Sequence, residues 1–206
     1  MSVTLRIEGP DWTLYEQQVT PSGHDVTPAS GTSAHPCTGA GGGISFTSTL
    51  DDVVSTWDGT WYARLKDYLI TSIEGIRATE TSYWQLYIDG APAQQGGCQA
   101  NIAAGSVLLA AWSNLPLSPW SLLYAEASPS KVSPGQEVTV SVWTTGSGGI
   151  KVPVGGATIG GKQTDLDGQV KLKFGYPVVK KLKATRVGFI RSATVTITVS
   201  NVGAVE

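Results

Sequence analysis

The sequence predicts a mostly β protein: an α+β module in which one helix covers a sheet, then an all-β module read as a sandwich. Three observations carry this. Apolar and polar residues alternate with period two in strands such as SVTLRIEG and the stretch through Val138, Val140 and Val142. One stretch has the i, i+3, i+4, i+7 apolar stripe of an amphipathic helix. The Pro/Ser-rich segment NLPLSPWSLLYAEASPSKVSPG separates two strand-patterned regions and reads as a linker. The boundary is set near Leu123, which gives domains 1–123 and 124–206.

The first strand is SVTLRIEG, with Val3, Leu5 and Ile7 on one face and Thr4, Arg6 and Glu8 on the other. Gly9-Pro10-Asp11 is a turn signal, and WTLYEQQVT completes a hairpin. Residues 21–43 are rich in Gly, Ser, Thr and Pro and hold Cys37; such length is unusual for a loop inside a compact domain. In STLDDVVSTW the spacing of Leu50, Val53, Val54 and Trp57 predicts a helix. Ser48 is placed at its N-cap, Asp51 and Asp52 at the positive end of its dipole, and Gly59 at its end. DYLITSIEGI and SYWQLYIDG follow as strands, with Asp89-Gly90 a favoured hairpin pair. GSVLLAAW is the last strand of this half.

In the second half Pro134-Gly135 precedes an alternating strand through Val138, Val140 and Val142. Gly-Gly pairs and Asp167-Gly168 punctuate the strands that follow. Six or seven short strands without a helix read as a β-sandwich.

Composition narrows the class. Of 206 residues, 41% are hydrophobic and only 15% charged, against a usual charged share of about 25%. No apolar run is long enough to span a bilayer. The start MSVTLRIEG lacks the basic and apolar regions of a leader, so the expectation is a cytosolic chain or one whose leader has been removed. Charge is unevenly divided. Residues 1–123 hold 4 Lys+Arg and 11 Asp+Glu, net −7, and residues 124–206 hold 10 and 5, net +5. The acidic first half disfavours nucleic acid. Unlike halves permit attraction within the chain or between neighbours in an assembly, and two domains of separate ancestry, each solvated, are the favoured explanation of the asymmetry.

Cys37 and Cys98 leave two alternatives: buried reduced thiols, or a disulfide. Both lie in Gly-rich loops, where a free thiol would be exposed and reactive, which favours the bridge. A bridge implies an oxidising compartment, hence an extracellular or cell-surface location. Two Cys and two His lack the short paired spacings of a zinc site, so no metal or other cofactor is expected.

The features VTLRIEG, a Cys in a loop, WDGTWYARLKDYLITSIEG, YWQLYIDGAPAQQGGC and IAAGSVLLAAW occur in that order. Over residues 3–113 they resemble the transcobalamin C-terminal-like domain, a domain of unknown function common in secreted bacterial surface proteins. The resemblance implies a β-grasp-like fold and a Cys37–Cys98 disulfide, since bacterial members pair these cysteines. In animal transcobalamins the related domain is one wall of a cobalamin site whose other wall is a helical barrel. No segment here supplies that barrel, so no cobalamin residue carries over. Residues 127–199 resemble the bacterial Ig-like repeats of surface proteins, which implies an Ig-like β-sandwich acting as a stalk or spacer.

No residue set announces a reaction. His24 and His35 lie in a polar loop without a G-x-S-x-G serine motif. Asp51, Asp52 and Asp58 suit helix-end roles better than a hydrolytic carboxylate pair. Asp165 and Asp167 suit a hairpin turn better than a calcium loop. Lys171, Lys173, Lys180, Lys181 and Lys183 are either an anion-binding patch or the solvent face of a strand. The expected function is therefore non-enzymatic: a structural or adhesive protein, its partners other proteins or copies of itself in an extracellular assembly or filament. The rival is a small-molecule or glycan-binding module using Trp61, Tyr62 and Tyr83. For assembly, the end strands at 3–9 and 193–206 are candidate edges, the latter through Val195, Ile197, Val199 and Val202.

Overall fold

The computed structural model describes residues 1–39, 41–114 and 122–201. The chain forms two compact units, dividing between Leu117 and Ser118. Leu123, where the sequence set the boundary, is buried in the core of the second unit.

The first unit runs β1 (Val3–Glu8), β2 (Thr13–Val19), β3 (His24–Val26), β4 (His35–Cys37), α1 (Phe46–Val53), β5 (Trp57–Tyr62), β6 (Asp67–Ile73), β7 (Ile76–Arg77), β8 (Ser82–Ile88), β9 (Ala91–Pro92) and β10 (Val107–Asn114). Its main sheet has the order β2-β1-β10-β8-β9. β1 and β10 pair in parallel at the centre, and the other pairs are antiparallel. With one helix over it, this is a β-grasp-like sheet. β5, β6 and β7 make a separate three-stranded sheet, and β3 and β4 a short hairpin. Asp89-Gly90 is the expected two-residue turn: both residues have positive φ, and Ile88 pairs with Ala91.

Helix α1 begins earlier than the sequence indicates. Ser45, not Ser48, is the N-cap, and Ser48 closes a capping box on it. Asp51 and Asp52 therefore lie in the last turn and serve as hydrogen-bond acceptors rather than dipole partners. Val54 already has extended backbone, and Trp57 opens β5. The apolar stripe stays buried across this break because helix end and strand start face the same core. Phe46, Leu50, Val54 and Trp57 join Val3, Leu5, Ile7 and Leu108 there. Full burial of Phe46 or Leu50 contributes about 1.5–3 kcal/mol each.

A second departure concerns β1. Its polar face is not open to solvent: Arg6 and Glu8 are 4% and 1% exposed, and the Arg6 guanidinium lies 3.6 Å from the Glu8 carboxylate. The strand is also paired on both sides, so the free edge expected at residues 3–9 is absent.

The second unit runs β11 (Tyr124–Ser128), β12 (Lys131–Val132), β13 (Glu137–Thr145), β14 (Lys151–Pro153), β15 (Thr158–Ile159), β16 (Lys162–Gln163), β17 (Gln169–Lys173), β18 (Val178–Leu182) and β19 (Val195–Val199). β13 pairs with β11, β14 and β17 in one sheet, and β12-β19-β18 form another. Val138, Val140, Val142, Val170 and Leu172 of the first sheet share one core with Val195, Ile197 and Val199 of the second. Alternation along β13 and β17 puts every second residue into that core.

Candidate functional site

Cys37 and Cys98 are joined in a disulfide, and both are fully buried. Each half is held by a second element. The Ser45 hydroxyl donates to the Cys37 carbonyl at 2.5 Å, and its oxygen accepts the Ser48 N–H at 3.0 Å. The Gly39 N–H donates to the Cys98 carbonyl at 3.0 Å. The Cys98 N–H donates to Asp67 Oδ1 at 3.1 Å, and the Tyr68 N–H to the same oxygen at 2.7 Å. The other Asp67 oxygen accepts nothing among the described residues. Burial raises the Asp67 carboxyl above its ordinary range, against the main-chain donors that pull it down. Gly96 is needed here for close approach, since a Cβ would sit 1.7 Å from Asp67 Oδ2.

Beside the disulfide lies a polar and aromatic cluster. Asp51 accepts from Trp57 Nε1 at 2.7 Å and bonds His24 Nε2 at 2.9 Å. Asp52 accepts the Ser22 N–H at 2.7 Å and its hydroxyl at 3.2 Å. The Ser22 hydroxyl also lies 3.3 Å from His24 Nδ1. The set resembles a nucleophile–base–acid array in composition only. Both Ser22 donors are held by Asp52, which makes the array a clamp between the β3 hairpin and the end of α1. Burial lowers the His24 imidazole, but the Asp51 bond, the Ser22 carbonyl and both carboxylate charges outweigh it, and the net displacement is upward. Asp58 is committed too. It accepts the Ser30 N–H at 2.7 Å, and bonds from Ser30 hold its carboxyl below the ordinary range.

The three aromatic residues singled out in the sequence do not share one surface. Trp61 stacks on His35 with centroids 4.2 Å apart and packs against Tyr68 at 4.9 Å. Tyr62 follows it in an extended strand, so it points to the opposite face, where it is exposed. Tyr83 stands on β8 in the other sheet. His35, weighed in the sequence only as a catalytic candidate, and Tyr68 complete Trp61's surroundings; the pairing of β3 with β4 and of β5 with β6 brings them there.

Tyr83 borders a cleft of about 210 Å³ between β6 and the β8–β9 edge, lined also by Ile70, Gln85, Leu86 and Gln95. Gln85 Oε1 accepts the hydroxyls of Tyr87 at 2.9 Å and Tyr83 at 3.4 Å.

In the second unit Val195, Ile197 and Val199 are buried core residues, and β19 lies between β12 and β18. β18 pairs along the whole of β19 and β12 along Thr198 and Val199, so the strand offered as a candidate edge for donation lies inside its sheet. Val202 lies outside the described residues. Asp165 Oδ1 accepts the N–H groups of Asp167 and Gln169, which makes this a turn. Lys171 pairs with Glu137 at 2.9 Å on an exposed face, and Lys173 lies opposite Glu137 in register. No group of His, Cys, Asp and Glu suited to a metal occurs among the described residues, and no described helix is long and apolar enough to cross a membrane.

Residues 50–114, from within α1 to the end of β10, match a family described as a domain of unknown function, DUF4430. That family is related to transcobalamin-like C-terminal domains. No curated protein matches the chain.

Proposed function

We propose that the chain is a non-enzymatic structural or adhesive module of a secreted or cell-surface protein. Its first unit is a transcobalamin C-terminal-like domain and its second an Ig-like spacer. The buried Cys37–Cys98 disulfide carries this reading, because such bonds persist in oxidising compartments and are rare in the cytosol. The carboxylates nearest a candidate centre support it as well: Asp51, Asp52 and Asp58 are spent on holding loops. The two-sheet core of the second unit supports the Ig-like reading.

β1 lies between β2 and β10, and β19 between β12 and β18, so the assembly reading draws on charge. The −7 and +5 halves fit a head-to-tail contact that propagates unless it closes a ring. Two measurements test the proposal. An antibody to the folded chain should stain intact source cells; staining only after lysis would sink the surface assignment. Sedimentation should show assembly at low salt that loosens as salt screens charges beyond about 10 Å at 0.1 M. A monomer at high concentration and low salt would remove the assembly role. The cleft beside Tyr83 favours a second reading, a small-molecule or glycan-binding module.

A further inference from the structure

We propose that the cleft between β6 and β8 binds a single neutral pyranose ring of a glycan. This deepens the second reading and is independent of the structural one. Four observations bear on it.

The first is charge. The lining holds no Lys, Arg, His, Asp or Glu, so it offers nothing to pay for desolvating an ion. A neutral ligand is selected.

The second is size. About 210 Å³ is below the roughly 300–1,000 Å³ of sites for drug-sized ligands. It suits one ring of a sugar.

The third is the supply of hydrogen-bond groups. Two tyrosine hydroxyls on Gln85 Oε1 orient that amide, and its NH₂ bonds nothing among the described residues, leaving two donors. Exposed Gln95 adds a second amide. The main chain adds more. The Leu86 carbonyl accepts from Ala93 N–H, and the Ser82 carbonyl from Thr79 N–H; both therefore turn away from β10. Trp84 lies between them at the same parity, so its N–H and C=O also face away from β10. β9 is two residues long and ends before reaching Trp84. A ring bearing hydroxyls, each both donor and acceptor, matches a mixed set of amide and main-chain groups.

The fourth is the Tyr83 ring, half-buried at the border of the cleft. An aromatic ring at the border suits the apolar C–H face of a pyranose, and Ile70 and Leu86 add apolar lining.

Saturation-transfer NMR on the full chain tests this, with four probes: the methyl glycosides of glucose, galactose, mannose and N-acetylglucosamine. At least one should receive saturation. Tyr83→Ala and Gln95→Ala should each weaken it about tenfold, equivalent to about 1.4 kcal/mol, with Tyr62→Ala, which does not line the cleft, leaving it unchanged. Gln95 is exposed, so its variant keeps the test valid should Tyr83→Ala unfold. No transfer to any probe, transfer undiminished in the folded variants, or loss in Tyr62→Ala would each overturn the proposal.

Discussion

Asp67 Oδ1 receives the Cys98 N–H at 3.1 Å. Through this bond the β5–β6 hairpin holds the second half of the disulfide, and the bond works whether or not the carboxyl is ionised. Its ionisation is a cost of folding, because burial raises the folded-state value. The sign follows. The favourable term is fully present below the ordinary carboxylate range and is lost as pH rises through the raised value.

Asp67→Asn keeps the acceptor and removes the charge. It should equal or exceed the parent in stability at neutral pH and lack the fall in stability that Asp67 contributes as pH rises through its raised value. Asp67→Ala should lose about 1–3 kcal/mol by leaving the Cys98 and Tyr68 donors unpaired. Urea titrations across pH check both.

His24 acts in a higher window. Its folded-state value is raised, so the stability it contributes is present below the ordinary imidazole range and lost as pH rises through the raised value. Melting temperature should fall between mildly acidic and mildly alkaline pH, and His24→Gln should remove that slope. A slope unchanged in the variant would mean another group titrates.

What the sequence shows and hides follows from range. The Asp89-Gly90 turn and the alternation of β13 depend on neighbouring residues, and both are legible. The helix is half legible. Its apolar spacing runs from Leu50 to Trp57, but the backbone becomes extended at Val54, and spacing alone cannot tell a helix from a helix-to-strand junction facing one core. The capping box moves to Ser45 because Ser45 also binds the Cys37 carbonyl, a contact made across the fold. The burial of Arg6 and Glu8 follows from the central place of β1, which parallel pairing with β10, about a hundred residues away in sequence, decides. His35 meets Trp61 for the same reason.

Ser45 joins the helix cap to the disulfide loop. Ser45→Ala should cost about 1–2 kcal/mol by loss of the cap, plus the hydrogen bond to Cys37. Ser48→Ala, which removes the return half of the capping box but leaves the Ser45 cap and its bond to Cys37 in place, should cost less. Denaturant midpoints with unchanged slopes would support this order, and the reverse order would contradict it.

The second unit has its own core. Residues 118–206 expressed alone should give one cooperative melt with a β-type spectrum. A fragment that stays unfolded would place part of its core in the first unit.

The Cys37–Cys98 bond carries the functional reading. On the loop-entropy model, a bridge spanning 61 positions adds about 4 kcal/mol, so reductant should lower the denaturation midpoint sharply. The most direct measurement is made before purification. Intact source cells are lysed in a thiol-alkylating denaturant, and the chain is analysed by mass spectrometry with and without prior reduction. Neither Cys37 nor Cys98 should carry the alkyl group unless reductant is added first. Both cysteines alkylated without reductant would show a chain that lives reduced, and would contradict its assignment to the cell surface.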